Sequence, residues 1–415
     1  MKIAIVGSGI TGLTCAYLLN RQHDIQVFEA SDWIGGHTHT VDVQVEGRSY
    51  AIDTGFIVFN DWTYPNFIRL LEQIGVGFKP TEMSFSVSDP ATGVEYNGHD
   101  LNTLFAQRSN LLSPAFWGML RDILRFNRQS LDDLANNRIS ADTTLGQYLD
   151  SNGYGRRFIE HYIVPMGSAI WSMSLADMLG FPLQFFVRFC KNHGLLSVSD
   201  RPTWQVIEGG SRSYVAPLTA SFAERIRLNC PVSRVVRDQD GVTLHSAAGS
   251  ERFDKVIFAC HSDQALALLE QASEQERDIL GALPYANNDV VLHTDTRLLP
   301  KRKLAWASWN YRLGGPREQM AAVTYDMNIL QGIDSATTFC VSLNQTAAID
   351  PNKILARFQY AHPQYSLAGT AAQARWEELL GAQHTYYCGA YWANGFHEDG
   401  VVSALRVARA FGETL

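Results

Sequence analysis

The chain opens on an apolar run, Ile3 to Val6, that passes into Gly7-Ser8-Gly9-Ile10-Thr11-Gly12 and then into the alanine- and leucine-bearing segment Leu13 to Leu19. A second apolar run, Ile25 to Phe28, ends in Glu29. Few local patterns constrain a fold more. Gly7 suits the tight turn from strand to helix, Gly9 lets a pyrophosphate reach the backbone, and Gly12 lets the helix close on the sheet. Ile10, Thr11 and Gly12 open that helix, whose first N–H groups and positive dipole end attract an anion. Glu29 stands where a ribose hydroxyl needs an acceptor, so the unit is expected to bind a dinucleotide.

The 415 residues suit about two connected domains. With 46% hydrophobic and 18% charged residues the composition is that of a globular protein. A net charge of -8 and no basic run argue against nucleic acid. The six cysteines lie apart without a C-x-x-C pair, which suggests neither a zinc site nor a disulfide framework and fits a cytoplasmic location. The first apolar run breaks at the glycine turn and reads as a strand rather than a leader. No run approaches the roughly 20 apolar residues of a spanning helix, so any membrane contact is expected to be peripheral, at the inner face.

Nucleotide-binding pieces recur along the chain, which predicts an α/β fold: a Rossmann-like domain made of residues 1–78, 202–283 and 372–415, interleaved with an α+β substrate domain made of 79–201 and 284–371. In the middle piece, Ser213 to Ile226 reads as an amphipathic helix, and Val232 to Arg237, Val242 to His245 and Lys255 to Cys260 read as strands of the nucleotide domain. The first insert reads as helical, with Pro114 to Gln129 and Arg156 to Tyr162 its clearest stretches.

After Glu29 the chain continues Ala30-Ser31-Asp32-Trp33-Ile34-Gly35-Gly36-His37-Thr38-His39-Thr40. This resembles the E-x-x-x-R-x-G-G-R-x-x-T segment of the flavin amine oxidase superfamily, whose members include amine oxidases, protoporphyrinogen oxidase and phytoene desaturases. Glu29, Gly35, Gly36 and Thr40 match; Trp33 and His37 stand where arginines usually stand. Asp53-Thr54-Gly55 resembles the D-x-G segment that follows, and Cys230-Pro231-Val232 the strand that brackets the adenine. Cys388-Gly389 and Gly395-Phe396-His397-Glu398-Asp399-Gly400-Val401-Val402 resemble the segment that passes the isoalloxazine. The resemblance implies non-covalent FAD, with His37 and Thr38 also at the cofactor, Gly389 at the diphosphate or ribityl chain, and the N–H groups of Val401 and Val402 at the flavin pyrimidine oxygen.

A narrower likeness, on Asn192-His193-Gly194-Leu195-Leu196, Trp309-Asn310-Tyr311 and the Gly395–Gly400 segment, is to bacterial flavin oxidoreductases associated with cyclopropane-fatty-acid-synthase-like enzymes. It implies an oxidoreductase that takes a hydride from a C–H bond to flavin N5, as a desaturase or dehydrogenase of a lipid acyl chain. A flavin amine oxidase of small amines and a non-redox isomerase are the alternatives. No second nucleotide fingerprint is present, so electrons are expected to leave to oxygen, a quinone or a carrier.

The resemblance places Tyr391, Trp392, Phe396 and His397 at the reacting end as candidate catalytic residues. For His397 proton traffic, flavin contact and a structural role stay open, and the aromatic residues are framing groups or core. Asp399 reads as a flavin-hydroxyl ligand or as the cap of a helix starting at Gly400. Asn192 and His193 could reach the site from the first insert, whereas Trp306, Trp309 and Tyr325 read as core. His37-x-His39 lacks the further ligands of a metal site, so no metal is expected. The stretch Pro114 to Gln129 has the periodicity of a helix that either packs on the core or lies in a membrane interface, the latter with Phe116 and Trp117 in lipid.

Overall fold

Three distant parts of the chain meet in one parallel sheet. The computed structural model describes residues 1–314 and 320–415. The sheet runs Ile226–Arg227, Asp24–Phe28, Lys2–Val6, Lys255–Phe258 and Thr385–Tyr387, every neighbouring pair parallel. Alternation along a strand sends successive side chains to opposite faces. Ile3 and Ile5 therefore pack with Leu13, Ala16 and Leu405, from the helices Ile10–Leu19 and His397–Ala410. Ala4 and Val6 pack on the other face with Val235, Leu244 and Phe253. The sheet is buried on both faces, which is why its strands read as continuous apolar runs.

The strands Val232–Asp238 and Gly241–Ser246, read as strands of the nucleotide domain, form with Gly249–Phe253 a separate antiparallel sheet laid over the parallel one. Only Lys255–Phe258 joins the parallel sheet. The predicted helix over Ser213 to Ile226 is also broken, into a 3-10 turn at Ser211–Tyr214, a short helix Val215–Thr219 and a second turn at Ala223–Arg225.

Both inserts contribute to one seven-stranded sheet, ordered Ile354–Pro363, Tyr285–His293, Cys340–Leu343, Val323–Asp326, Trp309–Arg312, Phe85–Asp89, Val94–Asn97. Its one parallel pair, Trp309–Arg312 with Phe85–Asp89, is where the inserts join. The first insert thus begins as strands, not helices; the helical part follows. Its longest helix, Pro114–Ala135, starts on a proline, with the Ser113 side chain accepting from the Phe116 N–H. Phe116, Met119 and Phe126 line its inner face. Phe116 is wholly buried against Tyr96 and Phe105 and cannot enter a lipid surface, contrary to the membrane-interface alternative read from the sequence. Trp117 is 49% exposed.

Candidate functional site

Each glycine of the opening turn answers a different steric demand. A Cβ on Gly12 would lie 2.0 Å from the Gly7 carbonyl oxygen, and one on Gly7, at φ +107°, would lie 2.9 Å from that of Ala259. Both positions are closed to a side chain by the protein itself. Above Gly9 there is open space, with nothing within 4 Å. Gly36, at φ +59°, places its missing Cβ 3.2 Å from the Gly9 Cα, and Gly9 bridges Gly35. The two glycine pairs make one floor of bare backbone. Trp33 donates from its indole to the Gly36 carbonyl and stacks on His39, so it clamps this floor where the motif otherwise carries an arginine.

Two helix N-termini face the same floor. A Cβ on Gly400 would approach the Thr11 hydroxyl to 2.7 Å and Ile10 to 3.0 Å, so the last helix meets the first near the start of each. Gly9 supplies no side-chain cap, leaving the first N–H groups of the Ile10 helix for a ligand. Val401 is buried in the packing between these helices, and Val402 is half-buried beside it. The space over Gly9, the uncapped N–H groups and the paired helix ends fit a dinucleotide diphosphate.

At the adenosine end, the buried Glu29 carboxylate accepts from the Ser8 N–H at 2.9 Å, the Ser8 hydroxyl at 2.6 Å and the Ser31 N–H at 2.8 Å. Asn229 and Cys230 donate from their backbones to the Ser31 and Glu29 carbonyls, which brings the strand beginning at Val232 beside Glu29. These residues, far apart in the chain, come together as the motif implies.

Several residues placed at the cofactor by the resemblance turn their side chains elsewhere. The Asp53 carboxylate receives the Thr40 hydroxyl at 2.6 Å, the Ser211 N–H and hydroxyl at 2.9 Å each, and the Gln331 amide at 3.0 Å. Thr54 bonds Tyr360 and the His39 carbonyl, and Thr38 bonds Tyr214 and His397. Buried polar groups must find partners, and Thr38, Thr40, Asp53 and Thr54 find them in one another, in Ser211, Tyr214 and His397, and in Gln331 and Tyr360 of the second insert. They hold the cradle's shape. Burial pushes the Asp53 carboxyl up to about 6, against the pull of these hydrogen bonds. Gly55 has a backbone role, since its Cβ would meet the His37 carbonyl at 2.2 Å. Gly389 is extended, donates to the Ser403 hydroxyl at 3.0 Å and lies under the Tyr391 ring.

The four candidate catalytic residues separate sharply. A cleft of about 380 Å³ opens between the start of the last helix, the loop Trp62–Pro65 and the end of the helix Leu183–Asn192. Phe396 lines it, stacked on Phe189 at 5.3 Å. His397 does not. Its ring lies face to face on Phe56 and bonds Thr38 at 3.1 Å and Tyr214 at 3.3 Å, wholly buried and held well below its usual range by desolvation. An imidazole enclosed this way has the surroundings of the structural role that the sequence left open beside proton traffic and flavin contact. Tyr391 and Trp392 pack together in the core behind the parallel sheet, with the Trp392 indole donating to the Tyr387 carbonyl.

The last helix begins at His397, not Gly400, and Asp399 is its third residue, reaching back to the N–H groups of Phe396 at 2.9 Å and Asn394 at 3.2 Å. Burial pushes its carboxyl up to about 6. Glu398 caps the helix Pro65–Gln73 through the N–H groups of Asn66 and Phe67. Asn192 and His193 do reach the cleft from the first insert. His193 bonds the Phe189 carbonyl at 2.9 Å and Thr63 at 3.2 Å, and burial lowers it to about 4, so it lines the cleft as a neutral ring. Sequence reasoning passed over Trp62, Thr63 and Tyr64. Their signal was the turn Asn60-Asp61-Trp62-Thr63 before Pro65, in which the Asn60 side chain accepts from Trp62 and Thr63. Among the described residues no group of His, Cys, Asp or Glu is arranged to hold a metal ion.

The fold has solved counterparts. A putrescine oxidase superposes with a TM-score of 0.71 at 14% identity, covering 99% of this chain and 98% of its own. A cyclohexylamine oxidase from Brevibacterium oxydans gives 0.68 at 16% identity, and a fatty acid isomerase from P. acnes, described as producing CLA, gives 0.71 at 15%, both with the same coverage. No curated protein sequence matches the chain. At these identities the likeness is one of fold. The family model for flavin-containing amine oxidoreductases, however, matches residues 10–327. That span runs from the first turn of the opening helix through the second glycine pair, all of the first insert and half of the second, and it makes the chain a member of the flavin-containing amine oxidoreductase family, an FAD-dependent oxidoreductase.

Proposed function

We propose that this oxidoreductase is a desaturase or dehydrogenase of lipid acyl chains that works from the inner face of a membrane, with residues 1–78, 202–283 and 372–415 holding FAD and 79–201 and 284–371 holding substrate. The observation that carries the reading is an apolar edge where the first insert meets Leu304 of the second. Leu101, Leu111, Leu112, Trp117 and Leu304 are between 39% and 88% exposed. They belong together: the Trp117 indole donates to the Leu111 carbonyl, and Phe105 links the Leu101–Leu104 helix to Trp117. Leu124, 52% exposed, continues the edge one heptad beyond Trp117 on the same helix face. Around these lie the exposed Arg108, Arg121, Arg128, Lys301, Arg302 and Lys303. Apolar side chains inside a basic rim complement an anionic lipid surface on a protein whose net charge is negative. Among the described residues no helix is long and apolar enough to cross a membrane.

The same insert walls the cleft. Phe126 on the edge helix touches Phe186 on the helix that ends at Asn192, so the lipid-facing edge and the cleft wall belong to one packed unit. Phe396 and the neutral His193 give the cleft an aromatic edge beside the polar Thr63, Asn192 and Asn394. An amine substrate would call for a carboxylate with a free oxygen. Glu398 and Asp399, the acids at the cleft, are both engaged by backbone N–H groups. Bound FAD supplies the hydride acceptor; the protein's share is to orient one C–H bond and keep water out. The acceptor of the electrons is oxygen, a quinone or another carrier.

Deletion of the gene, with membrane fatty acids followed by mass spectrometry, tests the reading. An acyl species two hydrogens heavier than the missing product is expected to accumulate, and acyl substrate is expected to bleach the flavin anaerobically without NAD(P)H. Rapid bleaching by simple amines with an unchanged lipid profile would replace it with an amine oxidase, and isomerised acyl chains without bleaching with a non-redox isomerase.

A further inference from the structure

Three histidines from three distant segments face one another beside the glycine floor. The His37 ring centroid lies 6.0 Å from that of His261 and 5.6 Å from that of His362. Each is half-buried. Their positions follow from the backbone already described. His37 is the residue after Gly36, whose Cα abuts Gly9, and His261 follows Ala259-Cys260, which Gly7 abuts. His362 is carried in by the second insert on the strand Ile354–Pro363.

The surroundings fix these rings without charging them. His261 stacks on Tyr285 at 4.3 Å and 11°, and His37 lies 5.1 Å from Tyr360. The Asn288 amide donates to His362 Nδ1 at 3.3 Å, which places the neutral ring's proton on Nε2. His37 Nε2 is enclosed and has no hydrogen-bond partner. An unpartnered buried ring nitrogen is costly unless a ligand completes it. Burial and mutual repulsion lower His37 and His261 to about 4 and His362 to about 3. The other titratable groups around the cluster are Tyr285, Tyr360, Cys260, His39, His397, Glu29 and Asp263. Of the two carboxylates, Glu29 is engaged by Ser8 and Ser31, and Asp263 is exposed and accepts from Gln264. Neither is hydrogen-bonded to a histidine of the cluster.

We propose that His37, His261 and His362 form a tri-imidazole cradle that holds the FAD diphosphate by taking up a proton with it, in place of fixed guanidinium charge. Three neutral rings cannot neutralise a diphosphate, and three charged rings this close repel one another in its absence. Cofactor and proton therefore bind together. Because the loaded state holds the extra proton, FAD affinity falls as pH rises through the loaded cluster's titration, about tenfold per pH unit for one linked proton. The inference rests on FAD binding and not on the acyl substrate, so either can fail without the other.

The test uses the full-length holoprotein. FAD release on dilution, followed by flavin fluorescence, gives Kd between pH 6 and 8.5, and histidine NMR of the holoprotein at pH 7 reports the protonation of the rings. Wild type is expected to weaken by about tenfold per pH unit over part of that range and to show at least one protonated imidazole that is lost in the His37→Gln, His261→Gln, His362→Gln triple variant. His37→Arg keeps the test readable if the triple variant folds poorly: a permanent charge should flatten the pH dependence and retain flavin at pH 8.5. A wild-type Kd independent of pH, only neutral rings in the holoprotein, or a pH slope that survives His37→Arg would overturn the proposal.

Discussion

The floor of the cofactor site and the cleft beside it were built by opposite means. At the floor the decisive residues have no side chains, come from two short glycine segments, Gly7 to Gly12 and Gly35 to Gly36, and, apart from Gly9, are excluded from change by neighbouring backbone at 2.0 to 3.2 Å. At the cleft the decisive residues are large, come from three distant segments, and owe their placement to helices and loops that cap one another, as Glu398 caps the helix Pro65–Gln73. The floor is local and intolerant; the cleft is assembled and adjustable. A family can keep the first while remaking the second.

The largest effect is expected within the floor itself, where two neighbouring glycines should fail differently. Gly12→Ala drives a methyl group into the Gly7 carbonyl and should destabilise by more than about 4 kcal/mol, so that little soluble protein is recovered. Gly9→Ala meets no protein atom within 4 Å; it should leave the melting temperature of the flavin-free chain near wild type while lowering FAD affinity at least a hundredfold. Equal loss of folding in both would break the distinction between a glycine needed by the fold and one needed by the ligand.

Trp392→Ala and Phe396→Ala carry the same contrast across to the cleft. Removing the core indole should cost about 3–5 kcal/mol, read by chemical denaturation. Removing Phe396 should cost less stability, keep full flavin content and lower kcat/KM by at least tenfold once a substrate is in hand. The reverse ranking would return Trp392 to the reacting end.

Asp53 predicts a pH dependence of definite sign. Its folded carboxyl titrates near 6 and an unfolded one near 4, so between these values the folded chain holds a proton that the unfolded chain has released. Stability contributed by this group is therefore present below about pH 4 and falls as pH rises to about 6, by up to about 3 kcal/mol. Asp53→Asn keeps an acceptor for Ser211 and removes the proton, so the difference between wild type and variant should slope through that window and flatten above it. A level difference would mean that the carboxylate is stabilised as charged.

The smallest stability change should come from Leu112→Ser with Trp117→Ser, within about 0.5 kcal/mol because both side chains are exposed. Their effect should appear instead in flotation with anionic vesicles, which wild type should bind and the pair should bind several-fold less. Retention of vesicle binding by the pair would remove the membrane edge from the reading of function.

The strand, the glycine turn, Glu29 and the second glycine pair announced a dinucleotide fold because each acts through φ, close backbone approach and helix polarity, properties that the residue type itself carries. The apolar strands were legible for the same reason: burial on both faces writes itself into consecutive residues. Polar side chains near the motif were not. Thr38, Thr40, Asp53 and His397 sit at positions the motif assigns to the cofactor, yet their partners are Tyr214, Ser211, Gln331 and Phe56, and no local pattern declares such pairings. Phe116 and Trp117 were adjacent and alike in sequence, but one faces the core and the other solvent because helical rotation separates neighbours by about 100°.

The sequence alone determined that a dinucleotide meets a backbone floor between Gly7 and Gly36, since only glycine tolerates those distances and angles. The tertiary structure decided which aromatic group faces the cleft, which histidines gather around the floor, and which carboxylates are left free to act. Those choices depend on contacts between residues tens to hundreds of positions apart, and side-chain burial, unlike backbone conformation, is a property of the assembled chain rather than of the residue.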